Sequence, residues 1–228
     1  MLCYVNHLDF SSESAYNNIV ITIISNSKDK NRHFFLIVAG DEYVYSRTDL
    51  RGRNMSSTLV IYSSKYGSTK QYAQWIADEL RGDLKEVSEV KSYELTYYDT
   101  VVFGAPLYAG KLYHYQKVLE VLTCYPPKKF LIFAVGLNAL SEDYIHEIKE
   151  TNKIDEDKVF YFQGKLDYQH LTLLDKFLMQ GLKKYLKKKS SLTDSDQQIL
   201  KSFEHPIDAM KFESIQPLID YVHENTLK

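Results

Sequence analysis

The sequence has few of the residues that build disulfide or metal scaffolds. It contains two cysteines, Cys3 and Cys124, and their spacing matches no metal-binding motif. Two distant cysteines argue against a disulfide framework and favour a reducing, cytoplasmic environment. Five of the seven histidines are scattered and are interpreted as surface residues rather than metal ligands: His114, His146, His170, His205 and His223. The sequence therefore predicts no metal site.

Long hydrophobic runs and a strong charge of one sign are also missing. No apolar run approaches the roughly 20 residues that a membrane-spanning helix requires. The amino terminus lacks the basic region, apolar run and cleavage site of a secretory signal. The formal net charge of −2 predicts no wholesale binding of nucleic acid. We therefore expect a cytoplasmic protein that does not bind nucleic acid.

Residues 1–54 read differently from the rest of the chain and form a separate N-terminal extension. They contain two β-type runs, NNIVITIIS and HFFLIVAG, separated by a polar NSKDKNR segment that suits a hairpin turn. Directly afterwards, RGRNM precedes a strand-like STLVIYS. Two interpretations stay open: a genuine β-hairpin arm, or sequence upstream of a true start at Met55. Residues 55–228 are predicted to form one domain.

From Met55 onward, apolar β-branched runs alternate with amphipathic helical patterns. The strand candidates are TLVIYS, the weaker DLKEVSEV, DTVVFGAP, KKFLIFAVGL and KVFYFQG. This alternation predicts an α/β fold with a doubly wound, five-stranded parallel sheet and helices on both faces. In such sheets ligands bind outside the carboxyl ends of the strands, where the strand order reverses.

Glycine is scarce in the loop SSKYGST, residues 63–69, which follows the first of these strands. Its single glycine excludes both the Walker phosphate loop and the three-glycine dinucleotide fingerprint. However, a loop that opens a helix presents free backbone N–H groups at the positive end of the helix dipole. Four hydroxyl side chains add further donors. The loop suits a phosphate, and the alternative is a plain polar turn.

Two further strands run into small-residue loops. The second strand enters GAPLYAG, residues 104–110, and the third enters GLNA, residues 136–139. Glycines at these positions suit close approach of the backbone to a flat ligand. One loop for a phosphate and two for a ring system match the requirements of flavin mononucleotide (FMN).

These stretches resemble the flavodoxin-like superfamily and, within it, the menaquinone-dependent protoporphyrinogen dehydrogenase family of bacteria. The segments FAVGLNA, FQGKLDYQHLTLLDKFLMQGLKK and TDSDQQ extend the resemblance over residues 55–228. It implies non-covalent FMN and a long-chain type insertion at the fifth strand. The expected cofactor-binding residues are Ser63, Ser64, Lys65, Tyr66, Gly67, Ser68, Thr69, Gly104, Ala105, Pro106, Leu107, Tyr108, Ala109, Gly110, Gly136, Leu137, Asn138 and Ala139. Tyr108 is placed either near the flavin ring or as a cap on the strand end.

The resemblance implies an FMN-dependent oxidoreductase. Such an enzyme takes electrons from a small organic substrate, such as a porphyrinogen, and passes them to a quinone or a redox protein. The alternative is a flavodoxin-type electron carrier, and a third is a binding module that has lost the flavin. The missing aromatic residue in GLNA and the small net charge argue against a pure carrier. No catalytic acid or base is assigned.

The inserted segment, residues 171–189, allows two interpretations. Its apolar stripe is Leu171, Leu174, Phe177, Leu178, Gly181, Leu182, Tyr185 and Leu186. Five lysines crowd its end at positions 183, 184, 187, 188 and 189. The first interpretation is a core-packed helix whose lysines complement the helix dipole. The second is peripheral contact with the inner face of a membrane.

Overall fold

The computed structural model describes residues 57–155 and 159–224, together with the backbone of three strands between residues 19 and 49. These three strands are β1 (Ile19–Ser25), β2 (Arg32–Ala39) and β3 (Glu42–Asp49). They form an antiparallel sheet in the order β1-β2-β3. Strands β1 and β2 pair with each other and come from the apolar runs NNIVITIIS and HFFLIVAG. They belong to a compact unit, residues 1–56, that is separate from residues 57–228. The two interpretations of residues 1–54, a genuine arm or sequence upstream of a true start at Met55, both stay predictions.

The second unit contains the predicted alternation of strands and helices. Its strands are β4 (Thr58–Tyr62), β5 (Asp83–Glu86), β6 (Thr100–Tyr108), β7 (Lys111–Leu112), β8 (Lys129–Gly136), β9 (Val159–Gln163), β10 (Lys165–Leu166) and β11 (Ile207–Asp208). Its α-helices are α1 (Ser68–Glu79), α2 (Tyr115–Cys124), α3 (Glu142–Asn152), α4 (Leu173–Lys188), α5 (Asp194–Lys201) and α6 (Gln216–Glu224). Short 3₁₀ turns occupy Ser92–Tyr97, Tyr168–His170 and Phe212–Ile215.

The central sheet has the strand order β5-β4-β6-β8-β9. Every neighbouring pair along this path is parallel. The prediction of a five-stranded parallel sheet is confirmed. The chain moves outward from β4 to β5 and then returns to the other side of β4 with β6. The order therefore reverses between β4 and β6, and the crevice at their carboxyl ends is the expected ligand site.

Alternating side chains of the central strands bury both faces of the sheet. On one face, Phe133 of β8 belongs to a buried cluster with residues of α1 and α6. On the other face, Phe103 of β6 stacks on Tyr115 of α2, and Tyr161 of β9 meets Tyr144 of α3 edge-on. Because successive strand residues point to opposite faces, apolar residues at consecutive positions require helices on both sides. The prediction of a doubly wound arrangement is confirmed.

An insertion of about one-fifth of the chain follows β9 and returns before α6. It contains the antiparallel pair β10–β11, then α4 and α5 between those two strands. The buried Tyr72 hydroxyl joins its two ends, because it donates to the Gln163 carbonyl at 2.8 Å and accepts from the Lys211 N–H at 3.1 Å. The sheet is therefore complete without the insertion, as the predicted long-chain type of fold requires.

The interpretation of residues 171–189 as a core-packed helix is wrong for most of its apolar stripe. Leu171 and Leu186 are buried, with 7% and 3% of their surface exposed. In contrast, four members of the stripe and the neighbouring Leu173 project into solvent. Their exposed fractions are Leu173 86%, Leu174 66%, Phe177 76%, Leu178 50% and Tyr185 65%. None of the described helices, α4 included, is long and apolar enough to cross a membrane.

Candidate functional site

Hydrogen bonds bring the three predicted loops to one edge of the sheet. The Ser63 N–H donates to the Gly104 carbonyl at 2.9 Å and so joins the phosphate loop to β6. The Gly164 N–H donates to the Gly136 carbonyl at 2.7 Å and joins the end of β8 to the start of the insertion. The loops thus meet at the carboxyl ends of the parallel strands, around the reversal between β4 and β6.

The phosphate loop turns sharply at Gly67, where φ is +90°. Glycine adopts this left-handed conformation without the steric cost that a side chain would add. Helix α1 begins at the next residue, and the Gly67 carbonyl accepts from the Gln71 N–H at 3.0 Å. The backbone N–H groups of residues 68, 69 and 70 have no hydrogen-bond acceptor within the described part of the chain. They form a cluster of free donors at the positive end of the helix dipole.

Two hydroxyl groups lie in the first turn of α1. Thr69 is 2% exposed, and its hydroxyl has no hydrogen-bond partner among residues 57–155 and 159–224. The Ser68 hydroxyl accepts from the Lys165 N–H at 3.2 Å and keeps its own proton free to donate. A buried polar group without a partner is costly, and native proteins rarely contain one. The loop therefore has the donors that an anionic ligand would satisfy.

A buried carboxylate of α4 holds the two large side chains of the loop. The Lys65 ammonium lies 2.7 Å from Asp175 Oδ2 and 3.0 Å from Asp175 Oδ1. The Tyr66 hydroxyl donates to the same carboxylate and accepts from the Thr172 N–H at 3.2 Å. Lys65 also donates to the Tyr108 hydroxyl at 3.0 Å. The phosphate loop thus connects the start of α4 to the end of β6.

Sequence reasoning missed Asp175, although a local signal for its backbone role exists. The segment Thr172 to Asp175 has the S/T-x-x-D/E pattern of a helix start. The Thr172 hydroxyl indeed accepts from the Asp175 N–H at 3.3 Å. No local pattern, however, reveals the contact with Lys65, because the two residues lie 110 positions apart.

Charge interactions shift the pKa values of both partners of this pair. Burial opposes the charged form of Asp175, but hydrogen bonds from Lys65 and Tyr66 outweigh it and hold the pKa of Asp175 below its ordinary value of 3.8. The hydrogen bond to Asp175 likewise raises the pKa of Lys65 above 10.5. The carboxylate therefore contributes stability above pH 4 or so, and this contribution is lost as the pH falls through its folded-state pKa.

Replacing Asp175 by asparagine is expected to lower the free energy of unfolding by about 2 kcal/mol at pH 7. The cost is moderate because the Lys65 side chain is 29% exposed and water can solvate its charge. The difference from wild type should shrink as the pH falls below about 4, because the unfolded chain then binds a proton at Asp175 before the folded protein does. Urea unfolding between pH 7 and pH 3 measures it.

The matched control is Asp155→Asn, which removes an exposed carboxylate without a partner in the described residues. This variant should follow the wild-type curve at every pH. An Asp175→Asn variant as stable as wild type at pH 7 would contradict the proposed charge pair.

The first predicted ring loop is largely a strand. Residues 104–108 belong to β6, and only Ala109 and Gly110 form the turn into β7. Both turn residues have positive φ, +49° and +79°, as a two-residue hairpin turn of type I′ requires. Gly104 is buried, and a Cβ atom there would lie 1.9 Å from Phe133 Cζ. Close packing, rather than approach to a ligand, is the reason for this glycine.

The second predicted ring loop is fixed on both sides. The Asn138 carbonyl accepts from the Tyr161 hydroxyl at 2.9 Å and from Gln163 Nε2 at 3.2 Å. Burial raises the pKa of Tyr161, so its hydroxyl keeps the proton that it donates. The Ala139 N–H donates to the Ser195 hydroxyl of α5 at 2.9 Å. The loop therefore joins β9 to the insertion.

His114 is exposed, as predicted for a surface residue, and it also contacts the candidate site. Its Nδ1 lies 3.0 Å from the Ser63 hydroxyl, and its ring stacks on Tyr113 with centroids 3.9 Å apart. The residue precedes α2 with φ at +63°. Its position four residues after Gly110 is the signal in the sequence that points to this edge of the sheet.

A cavity of about 320 Å³ opens beside the phosphate loop. Tyr66 forms one wall, and the insertion forms the others through residues 165–167, 170–171 and 206–208. The lining combines apolar side chains with Lys165, Asp167 and Asp208. This size is at the lower end of the range for small-molecule sites.

The strand order and the loops at the carboxyl ends define a doubly wound α/β domain with a crevice where the strand order reverses. A family model described as a flavodoxin domain matches residues 59–193, more than half of the chain. The chain belongs to the flavodoxin domain family. This match does not support the narrower resemblance to the protoporphyrinogen dehydrogenase family.

Individual proteins are similar to parts of the chain. An uncharacterized protein of Methanocaldococcus jannaschii is 28% identical over 99 residues, which cover 42% of this chain and 65% of that protein. The match thus spans less than two thirds of the relative's length. Oxidised flavodoxin 2 from Bacillus cereus shares 20% identity over 46% of this chain and 83% of its own, with a TM-score of 0.35. A flavoprotein from Lactobacillus acidophilus in complex with FMN shares 20% identity over 46% of this chain and 89% of its own, with a TM-score of 0.33.

Proposed function

We propose that this protein binds FMN non-covalently and acts as an FMN-dependent oxidoreductase. The observation that carries the proposal is the set of unsatisfied donors in the phosphate loop. Three free N–H groups and the buried Thr69 hydroxyl lie together at a helix start. Phosphate oxygens accept such hydrogen bonds, and the helix dipole favours their negative charge. Membership of the flavodoxin domain family supports the same ligand.

Different loops are proposed to hold different parts of the cofactor. Residues 63–69 are proposed to hold the phosphate. Residues 104–110 and 136–139 are proposed to flank the ring, with Tyr108 on the first of these segments. When bound, the flavin supplies the electron transfer, and the protein sets its position and surroundings. The Lys65 ammonium is paired with Asp175, so backbone N–H and hydroxyl groups are proposed to be the main donors to the phosphate.

We infer an enzyme rather than a pure electron carrier from the cavity beside Tyr66. A carrier needs only a surface for docking, whereas a cavity of about 320 Å³ can enclose part of an organic substrate. The loop at residues 136–139 contains no aromatic side chain that would cover the ring. The substrate class proposed from the sequence resemblance is a porphyrinogen, and the proposed electron acceptor is a quinone.

Oxidation of such a substrate releases protons, and the Ser63–His114 pair is proposed to receive one of them. A neutral imidazole has one ring nitrogen that can accept a proton while the other carries one. The imidazole of His114 is exposed, and its Nδ1 is in hydrogen-bond contact with Ser63 at the end of β4. The pair is therefore proposed as a proton acceptor next to the phosphate loop.

The test is a dehydrogenation assay with the full chain loaded with FMN. We expect faster oxidation of protoporphyrinogen by a soluble menaquinone analogue than with the same concentration of free FMN. His114→Gln should lower the rate, because an amide is not a base that takes up a proton. Lys117→Glu, an exposed change on α2, is the control and should keep the full rate. FMN binding without any acceleration would overturn the substrate assignment and leave the cofactor proposal standing.

A further inference from the structure

Helix α4 presents an apolar face to solvent. We define the α4 face by the five exposed side chains Leu173, Leu174, Phe177, Leu178 and Tyr185, whose exposed fractions range from 50% to 86%. Their spacing of three, four and seven residues places them on one side of the helix. The opposite side is anchored to the domain, because Asp175 and Leu186 are buried. The face therefore projects from the domain instead of closing a core.

The charged side chains beside this apolar face are all positive. The single acidic residue of α4 is Asp175, which is buried and bonded to Lys65 and Tyr66. Lys184 and Lys188 continue the row of Leu173 and Phe177 along the helix, at spacings of seven and four residues. They and Lys187 form no ion pair with any residue that the structure describes. The charge of the face is thus uncompensated and positive.

We propose that the α4 face docks on the surface of an anionic lipid bilayer. An amphipathic helix with large apolar side chains on one side and lysines beside them lies in the interface between headgroups and acyl chains. The lysine stems pack on apolar surface while their ammonium groups reach the phosphates. Each lysine near such a surface strengthens binding by roughly fivefold. Tyr185 has the amphipathic ring that suits this depth.

A second copy of the chain is a poorer occupant of the same face. Two α4 faces packed together would bury the apolar side chains, but would bring lysines together without a carboxylate to compensate them. Bilayer phosphates supply that charge. Peripheral docking also fits a helix that is too short and too polar to cross the membrane.

Docking on α4 would place the phosphate loop one helix diameter, about 10 Å, from the lipid. The first turn of α4 is fixed to the loop by the contacts of Asp175 with Lys65 and Tyr66. A redox partner dissolved in the bilayer would therefore approach the candidate cofactor site from the membrane side. This consequence depends on the proposed function, whereas the docking itself does not require a bound cofactor.

The experiment is co-sedimentation of the full chain with vesicles, in the absence of FMN. We expect binding to equimolar phosphatidylcholine–phosphatidylglycerol vesicles, weak binding to pure phosphatidylcholine, and loss of binding as the salt concentration rises. Leu174→Ser combined with Phe177→Ser should weaken binding by at least roughly tenfold. Leu140→Ser is the matched control, because Leu140 is 63% exposed but lies outside α4.

A charge change tests the electrostatic part separately and keeps the apolar face intact. Lys188→Glu changes the charge by two units and should weaken binding by roughly twenty-fivefold, while Lys117→Glu on α2, with the same change of net charge, should bind as wild type does. Equal binding of wild type to neutral and anionic vesicles would overturn the proposal. The proposal would also be overturned if the wild-type protein formed a dimer and did not bind vesicles, and if Phe177→Ser dissociated that dimer. The α4 face would then bind a second copy of the chain.

Discussion

Replacing Gly104 by alanine is expected to lower the free energy of unfolding by about 3 kcal/mol or more. The new Cβ atom would lie 1.9 Å from Cζ of Phe133 and 2.3 Å from its Cε1. The ring cannot move aside, because Phe133 has no exposed surface and packs against Phe162. The centre of the sheet, between β6 and β8, must therefore open. Urea unfolding followed by circular dichroism measures the loss.

Two variants make the test specific. Phe133→Leu removes the far end of the ring, so the double variant with Gly104→Ala should be more stable than the sum of the single losses by at least about 1 kcal/mol. Gly181→Ala is the matched control: apart from its chain neighbours and the backbone of α4 itself, no described atom lies within 4 Å of its Cβ position. It should stabilise the protein by up to about 1 kcal/mol through helix propensity. A Gly104→Ala variant as stable as wild type would contradict the packing of the sheet.

Replacing Thr69 by valine is expected to change cofactor binding and stability in opposite directions. Valine has nearly the same shape but no hydroxyl, so one hydrogen bond to a charged phosphate is lost. FMN affinity should fall by about tenfold to a hundredfold. The FMN-free protein should become more stable by up to about 1 kcal/mol, because a buried hydroxyl without a partner is removed. Calorimetric titration and urea unfolding give the two values.

Thr123→Val is the control for this pair of measurements. Thr123 is exposed on α2, and its hydroxyl donates to the Leu119 carbonyl at 2.8 Å. Its replacement should leave FMN affinity unchanged. If Thr69→Val lowered stability and left affinity intact, the hydroxyl would serve the fold and not the ligand.

Local patterns in the sequence were sufficient to predict the sheet and the helix after the phosphate loop. The helical spacing of Tyr72, Ala73, Ile76 and Leu80 predicts one apolar face of α1; the first three are fully buried and Leu80 is partly buried. The hairpin turn after β6 was not foreseen, because its first residue is Ala109 rather than the asparagine or glycine that usually indicates positive φ. Tertiary pairing with β7 overrides the local preference there.

Long-range contacts limited the prediction of the site. An amphipathic pattern shows that α4 has an apolar side, but not whether another element covers it. The alternation of Leu, Phe and Tyr is the same for a buried and an exposed face. Asp175 and His114 reach the phosphate loop from positions 110 and 51 residues away from their partners. Their roles depend on the path of the insertion and on the turn before α2, which no local pattern specifies.

The loop at residues 63–69 is proposed to bind the phosphate of FMN. The most direct measurement is a titration of the purified full chain with FMN and, in parallel, with riboflavin, which has the same ring but no phosphate. Flavin absorbance and fluorescence report binding of both. We expect a shifted spectrum with FMN and an affinity at least roughly a hundredfold lower for riboflavin, because the charged hydrogen bonds to the loop are lost. Equal affinity for the two flavins, or an unchanged spectrum with both, would contradict this proposal.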